Sequence, residues 1–191
     1  RSSLQKNVNG SYNVALGSYA LFNNTSGGSN VAIGDSSLST NSIGQNNSAI
    51  GTNSLLSNTA GDNSAFGSGS LINNTTGYGN TAVGKDSLRN NSTGTYNTGI
   101  GYQAGMYDPS TGFTTPTDLN YSTAIGYRAI VQQSNAIVLG QSGTNVGIGT
   151  TVPLNELSVM SLFASDNNAT ASQSGNTVTG TGTSWTSALI G

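Results

Sequence analysis

Two groups of residues in this chain suggest catalysis or the binding of a nucleotide or metal. The first, residues 79–85, reads GNTAVGK and matches most of the glycine-rich loop that binds nucleotide phosphates. That loop continues with Ser or Thr, whose hydroxyl holds magnesium, but here Asp86 follows Lys85. A similar phrase earlier in the chain has Asp35 at the position of Lys85. The glycines therefore belong to a repeat, and we expect no nucleotide site.

The second group is the acidic residues, seven in all. Two carboxylates can serve a glycoside hydrolase as acid and base, and Asp108 and Asp118 are the pair nearest to such an arrangement. The acids neither recur at one repeat position nor pair locally, which argues against a catalytic dyad or a calcium ladder. The chain has no His and no Cys, so histidine bases, thiol nucleophiles and most zinc sites are excluded. We expect no enzyme, no catalytic residue, no cofactor and no metal.

The composition also narrows the choice of partners. Only 6% of the residues are charged, the net charge is −2, and the five basic residues are scattered. Nothing here favours nucleic acid or an anionic membrane surface, and no apolar run is long enough to insert into a membrane. The chain begins with Arg1 rather than Met, and we expect it to be a fragment.

Glycine recurs along the chain at a nearly fixed interval. These phase glycines, numbered here as position 0 of each repeat, are Gly17, Gly34, Gly51, Gly67, Gly84 and Gly101. The consensus around them is N-x-A-Φ-G-x-x-[SA]-L-x-x-N-x-x-G-x-x, where Φ is apolar. A short fixed period indicates one structural unit stacked on itself. We therefore predict an all-β parallel β-solenoid with coils of about 17 residues.

Each coil is predicted to hold two short strands, at positions −4 to 0 and +2 to +6, because Asn and Gly mark turns between them. Side chains at −1 and −2 face opposite sides of a strand. We predict that the apolar side chains at −1 and the leucines at +4 fill the coil interior, while Ala and Gly at −2 form a face that admits another chain. These predicted core residues are Leu16, Ile33, Ile50, Phe66, Val83 and Ile100 at −1, and Leu21, Leu38, Leu55, Leu71 and Leu88 at +4.

So thin an interior provides little stability for each coil. Burial of apolar surface contributes about 25 cal/mol per Å², so one branched aliphatic residue and one Leu per coil contribute a few kcal/mol at best. Ordering the backbone and side chains of a whole coil costs more than that in conformational entropy. We therefore predict that the coils associate laterally with other chains.

The phrases NVAIGDSSL, NSAIGTNSL and NTAVGKDSL resemble the left-handed parallel β-roll of trimeric autotransporter adhesin heads. The longer form, as in NNTTGYGNTAVG, resembles repeats of phage tail fibres and related virion fibres, and NVGIGTTVP at 145–153 is similar to a junction phrase of such fibres. The resemblance implies a left-handed roll, a homotrimer of parallel chains and an extracellular location.

From the resemblance we expect a structural and adhesive fibre, the shaft or head of a virion tail fibre that attaches to a host surface. The expected partners are two further copies of the chain, together with a host-cell surface glycan or other fibre or baseplate proteins. The alternative is the head of a bacterial trimeric autotransporter adhesin on a cell surface. An ice-binding or other surface-binding solenoid is a more remote alternative, because the outward positions carry no regular Thr array.

The regular spacing ends after Gly101, where the next phase glycine is Gly126. We predict an N-terminal lead-in at 1–9, the roll at 10–153 with an insertion at about 102–121, and a neck or second β module at 154–191, truncated at its end. The insertion is either a tolerated turn loop or a loop that contacts a glycan or a neighbouring subunit. The residues of that candidate contact loop are Tyr102, Tyr107, Asp108, Phe113 and Tyr121.

Overall fold

The computed structural model describes residues 2–105, 118–148, 152–153, 157–159, 170–174 and 177–181. The chain divides into two compact units, Arg1–Thr144 and Asn145–Gly191. The first unit contains the repeats. The predicted limits of the lead-in, the roll and the C-terminal segment stay predictions.

The first unit is a parallel β-solenoid, which confirms the predicted architecture. Each strand covers positions −3 to −1 and pairs in register with the next coil, so that Ala15 lies beside Ala32 and Ala32 beside Ala49. The handedness of the roll stays a prediction. The strands, in spatial order, are β1 (Val14–Leu16), β2 (Val31–Ile33), β3 (Ser48–Ile50), β4 (Ser64–Phe66), β5 (Thr81–Val83), β6 (Thr98–Ile100), β7 (Thr123–Ile125) and β8 (Ile137–Leu139).

The prediction of a second strand at positions +2 to +6 is wrong, because this segment is a series of turns. The leucines at +4 have left-handed backbone, with φ between 47° and 49°. The backbone at position +2 is left-handed as well, for example at Asn53, Gly69 and Asp86. Asn, Gly and Asp tolerate this conformation better than other residues, but Tyr19 and Arg128 adopt it at the same position, so residue type alone does not predict it.

The interior of the coils is filled by small residues and leucine. The alanines at −2 and the leucines at +4 form one continuous buried cluster from coil to coil. Its fully or almost fully buried members are Ala20, Leu21, Ala32, Leu38, Ala49, Leu55, Ala65, Leu71, Ala82 and Leu88.

The prediction that the side chains at −1 fill this interior is wrong, because they lie on the outside of the sheet. Ile50, Phe66, Val83 and Ile100 keep 37–40% of their surface exposed and Leu16 keeps 66%, and Ile33 is only partly buried. The predicted small-residue contact face at −2 is likewise the inner face of the strands.

Space inside the coil explains this inversion. At Gly99, which occupies position −2 in β6, an added Cβ would lie 2.6 Å from the Ser87 hydroxyl oxygen and 2.8 Å from Leu88 Cγ. The −2 side chain thus points directly at the side chains of positions +3 and +4; at Gly99 even a methyl group would require them to shift, and the other coils hold nothing larger than alanine between β1 and β7. The larger aliphatic residue must take the outer side.

Among the described residues of the second unit there are two small sheets. Strand β9 (Val146–Ile148) pairs in parallel with β10 (Leu157–Val159), and β11 (Thr170–Ser174) pairs antiparallel with β12 (Thr177–Thr181). The predicted neck or second module from residue 154 stays a prediction.

Candidate interaction surfaces

Two columns of buried asparagines hold the coils together from inside. At position −4, the Oδ1 atom of Asn30 accepts the backbone N–H of Asn47 at 3.0 Å and its side-chain N–H at 3.1 Å. At position +7, Asn91 donates to Asn74 Oδ1 at 2.8 Å and Asn74 donates to Asn58 Oδ1 at 2.8 Å. All these amide bonds run the same way, with the later coil donating to the earlier one.

A backbone carbonyl in the turn joins the two asparagine columns. The carbonyl oxygen of Gly44 accepts the side-chain N–H of Asn30 at 2.9 Å and that of Asn41 at 3.0 Å. Gly77 and Gly94 do the same in later coils. These bonds satisfy amides that would be costly to bury unpaired, and they explain why Asn recurs at both positions.

The one shorter repeat, between Gly51 and Gly67, interrupts this network. Ala60, which directly precedes Gly61, supplies the carbonyl that accepts from Asn47 at 2.9 Å and from Asn58 at 2.8 Å. In this shorter turn the acceptor role of the +10 glycine passes to the alanine at +9, Ala60. Among the described residues, Asn41 Oδ1 is the buried side-chain acceptor that lacks a partner, because Asn58 does not reach back to it.

The outer side of the eight-stranded sheet, here called the sheet face, carries an unbroken apolar column at position −1. One large apolar residue per strand contributes to it, and each is exposed or only partly buried. These residues are Leu16, Ile33, Ile50, Phe66, Val83, Ile100, Ile125 and Leu139. Contiguous exposed apolar surface on a soluble protein marks an interaction site more often than scattered apolar residues do.

Tyrosines flank the sheet face on both edges at β6 and β7. On the edge at position −5, the rings of Tyr96 and Tyr121 stack with centroids 5.2 Å apart and an interplanar angle of 11°. On the opposite edge, at +1, Tyr102 and Tyr127 stack at 5.6 Å and 10°. All four keep between 40% and 60% of their surface exposed.

Tyr78 extends the −5 edge toward β5. Its ring contacts Tyr96 edge-on, with centroids 5.2 Å apart. A hydrogen bond with Tyr78 is the main cause that raises the pKa of the Tyr96 phenol above its ordinary value of 10.0, and Coulombic interaction with Tyr78 adds to it. Gly79 leaves the space for the Tyr96 ring, since a Cβ at residue 79 would lie 2.7 Å from Tyr96 Cδ1.

The structure places two of the five predicted contact-loop residues at these edges. Tyr102 and Tyr121 lie on opposite edges of the sheet face, so they are not one cluster. Tyr107, Asp108 and Phe113 lie outside the described residues. Sequence reasoning missed Tyr78, Tyr96 and Tyr127, although Tyr96 with Tyr121 and Tyr102 with Tyr127 share repeat positions that could have linked them.

The glycine-rich phrase that suggested nucleotide binding belongs to the scaffold, whereas Asp108 of the acidic pair lies outside the described residues. Residues 79–85 are a turn followed by strand β5, and Lys85 is exposed beyond it. In the parts of the chain that the structure describes, no three acidic, His or Cys side chains group as a metal site would require. Within the same parts, no helix has the length and apolar character needed to cross a bilayer.

Comparison with known proteins returns no match for this chain among family models, curated proteins or solved structures.

Proposed function

We propose that this chain is a segment of a homotrimeric extracellular fibre, in which three parallel solenoids pack their sheet faces around a common axis. The fibre belongs to a virion, as a tail fibre that attaches to the surface of a host cell. Stiffness comes from the repeated coils, and attachment gains avidity because three chains present the same surface.

The observation that carries this proposal is the exposed apolar column at position −1. Burying the exposed part of one such side chain contributes about 1–2 kcal/mol, so the eight together contribute about 10 kcal/mol per chain. That amount is of the order of the free energy lost when free chains associate, about 4–15 kcal/mol. A lone solenoid would leave this column in water.

The size of the sheet face also suits self-association. Eight strands spaced about 4.8 Å apart, with about 20 Å between positions −5 and +1, give a face of about 700 Å². A stable interface buries about 800 Å² per partner. In a trimer each face is divided between two neighbours, about 350 Å² to each contact, so the three faces together, about 2,100 Å², have to hold the assembly as one unit.

Native mass spectrometry of the chain tests the assembly. We expect a mass of about three times the 19.2 kDa of one chain. Ile50→Lys and Phe66→Lys place a charge in the apolar column and should shift the population toward monomer at micromolar concentration. Thr76→Lys is the matched control, because Thr76 is exposed in the turn between the two asparagine columns. A folded wild-type chain that stays monomeric at all concentrations would contradict the proposal.

Attachment requires a separate measurement. The labelled assembly is applied to an array of host-surface glycans, before and after deletion of residues 106–117. Binding that is lost on deletion supports a receptor-contacting loop in the insertion. Retained binding places the contact elsewhere on the fibre, whereas no binding by the intact assembly contradicts the attachment role and leaves a spacer.

A further inference from the structure

We propose that the two tyrosine edges of the sheet face form the seam between neighbouring copies of this chain, with Tyr96 and Tyr121 of one copy against Tyr102 and Tyr127 of the next. This inference rests on the proposed homotrimer and adds the residues that join its subunits and fix their register.

The four tyrosines lie on either side of the apolar column. Tyr96 and Tyr102, at positions −5 and +1 of one coil, flank Ile100. Tyr121 and Tyr127 flank Ile125 in the same way. All four are exposed, although each already stacks with a tyrosine of the adjacent coil. Tyr96 also contacts Tyr78, and the Arg128 guanidinium lies over the Tyr127 ring at 5.6 Å, so only the part of each ring that stays exposed is left for another chain.

Symmetry decides which edges can meet. In a closed ring of parallel chains the contact is heterologous, so one edge of a chain meets the opposite edge of its neighbour. A pure rotation keeps each coil at the same height. Position −5 of a coil therefore meets position +1 of the same coil in the next copy, which pairs Tyr96 with Tyr102 and Tyr121 with Tyr127.

Among the eight described strands of the sheet, only β6 and β7 carry an aromatic residue on both edges. The corresponding residues are Ser29 and Asp35 beside β2, Asn46 and Thr52 beside β3, and Asp62 and Ser68 beside β4. Aromatic pairs contribute about 0.5–1.5 kcal/mol beyond the area they bury, whereas the polar pairs contribute little. A shift by two coils in one direction would bring all four tyrosines against residues that are not aromatic, and in the other direction would leave only Tyr127 near an aromatic residue, Tyr78, so the tyrosines favour one register.

Cysteine crosslinking tests the seam directly, because the chain has no cysteine of its own. The variant Tyr96→Cys with Tyr102→Cys should form disulfides between chains and run as a covalent trimer on a non-reducing gel. The extended strand between the two positions keeps them too far apart in one chain for a disulfide, which needs Cα atoms about 4.4–6.8 Å apart. The single variants should stay uncrosslinked. Tyr96→Cys with Thr52→Cys is the register control, because these residues lie three strands apart, about 14 Å along the sheet.

Native mass spectrometry of the same variants separates the two proposals. If the Tyr96→Cys, Tyr102→Cys variant is a native trimer but forms no disulfide between chains, the seam is overturned and the proposed trimer stands. A folded monomer overturns the trimer itself. Crosslinking in a single variant overturns the parallel seam, because it needs like edges to meet. Loss of glycan binding in Tyr96→Ala, with the native trimer intact, also overturns the seam and makes these tyrosines ligand contacts.

Discussion

Gly27 and Gly28 are neighbours in the turn of the first coil, and replacing each by alanine measures how closely the coils are stacked. At Gly27 an added Cβ would lie 2.3 Å from the carbonyl oxygen of Gly44 in the next coil. At Gly28 the nearest atom would be the Ser11 carbonyl oxygen at 3.2 Å, and the next is at 3.9 Å. Both substitutions change the unfolded chain equally, so their difference reports the folded state.

The expected cost of Gly27→Ala follows from what the Gly44 carbonyl does. Restoring an ordinary contact would move this oxygen by about 1 Å, which breaks the bonds it accepts from Asn30 at 2.9 Å and Asn41 at 3.0 Å. Two lost hydrogen bonds and an unpaired buried carbonyl cost about 3–5 kcal/mol. Gly28→Ala should change the free energy of unfolding by no more than about 1 kcal/mol.

Amide hydrogen exchange in the first three coils is the assay, because repeat proteins open locally as well as globally. Gly27→Ala should accelerate exchange at the amides that cross these coils, and Gly28→Ala should not. A rescue is available: removing Ser26 from Gly27→Ala gives the turn Asn-Thr-Ala-Gly, the sequence of the short coil at residues 58–61. Equal exchange in the two single variants would refute this account of coil stacking.

Three further predictions concern the interior and the tyrosines. Asn63→Ala should destabilise the solenoid by about 1–3 kcal/mol more than Asn41→Ala in urea unfolding, because Asn63 Oδ1 accepts two bonds from Asn80 while Asn41 Oδ1 accepts none; equal losses would contradict the ladder. Leu55→Ala should cost about 2–5 kcal/mol through the cavity it leaves, since Leu55 is fully buried, and a smaller loss would mean that the coil collapses around it. Because the pKa of Tyr96 is raised in the folded chain, the stability that its protonated phenol gives the fold is complete below about pH 10. That stability is lost as pH rises through the folded-state pKa of Tyr96. The melting temperature of wild type should therefore exceed that of Tyr96→Phe at about pH 8, and the difference should shrink as the pH is raised above about 10; a constant difference would count against this.

The stacking of the coils could be predicted from sequence, but the direction of the side chains could not. The phase glycines and the recurring asparagines are enough to predict parallel coils, because each position meets its own copy in the next coil. Alternation shows that −1 and −2 lie on opposite sides, yet it does not say which side is inside. Burial of apolar area normally favours the larger residue inside. Here Leu21 and its equivalents already occupy the interior.

The turn conformation of the leucines at +4 could not be predicted either, for a related reason. A left-handed φ is unfavourable for leucine, so nothing in the residue type suggests it at Leu38 or Leu55. Only the fit of the whole coil stabilises this conformation. The tyrosine edges are similar, because the insertion separates Tyr96 from Tyr121 in the sequence, and the two become neighbours only when the coils are in register.

The one-way asparagine bonds make the two ends of the solenoid electrically different. Between Asn58 and Asn91 each +7 amide donates to the coil before it, so these amide dipoles add along that part of the rod as peptide dipoles do along a helix. The free oxygens of the last completed coil face the coil that follows. An asparagine ladder of this kind therefore needs a different cap at each end, one that accepts amide N–H groups at its start and one that donates to amide oxygens at its end.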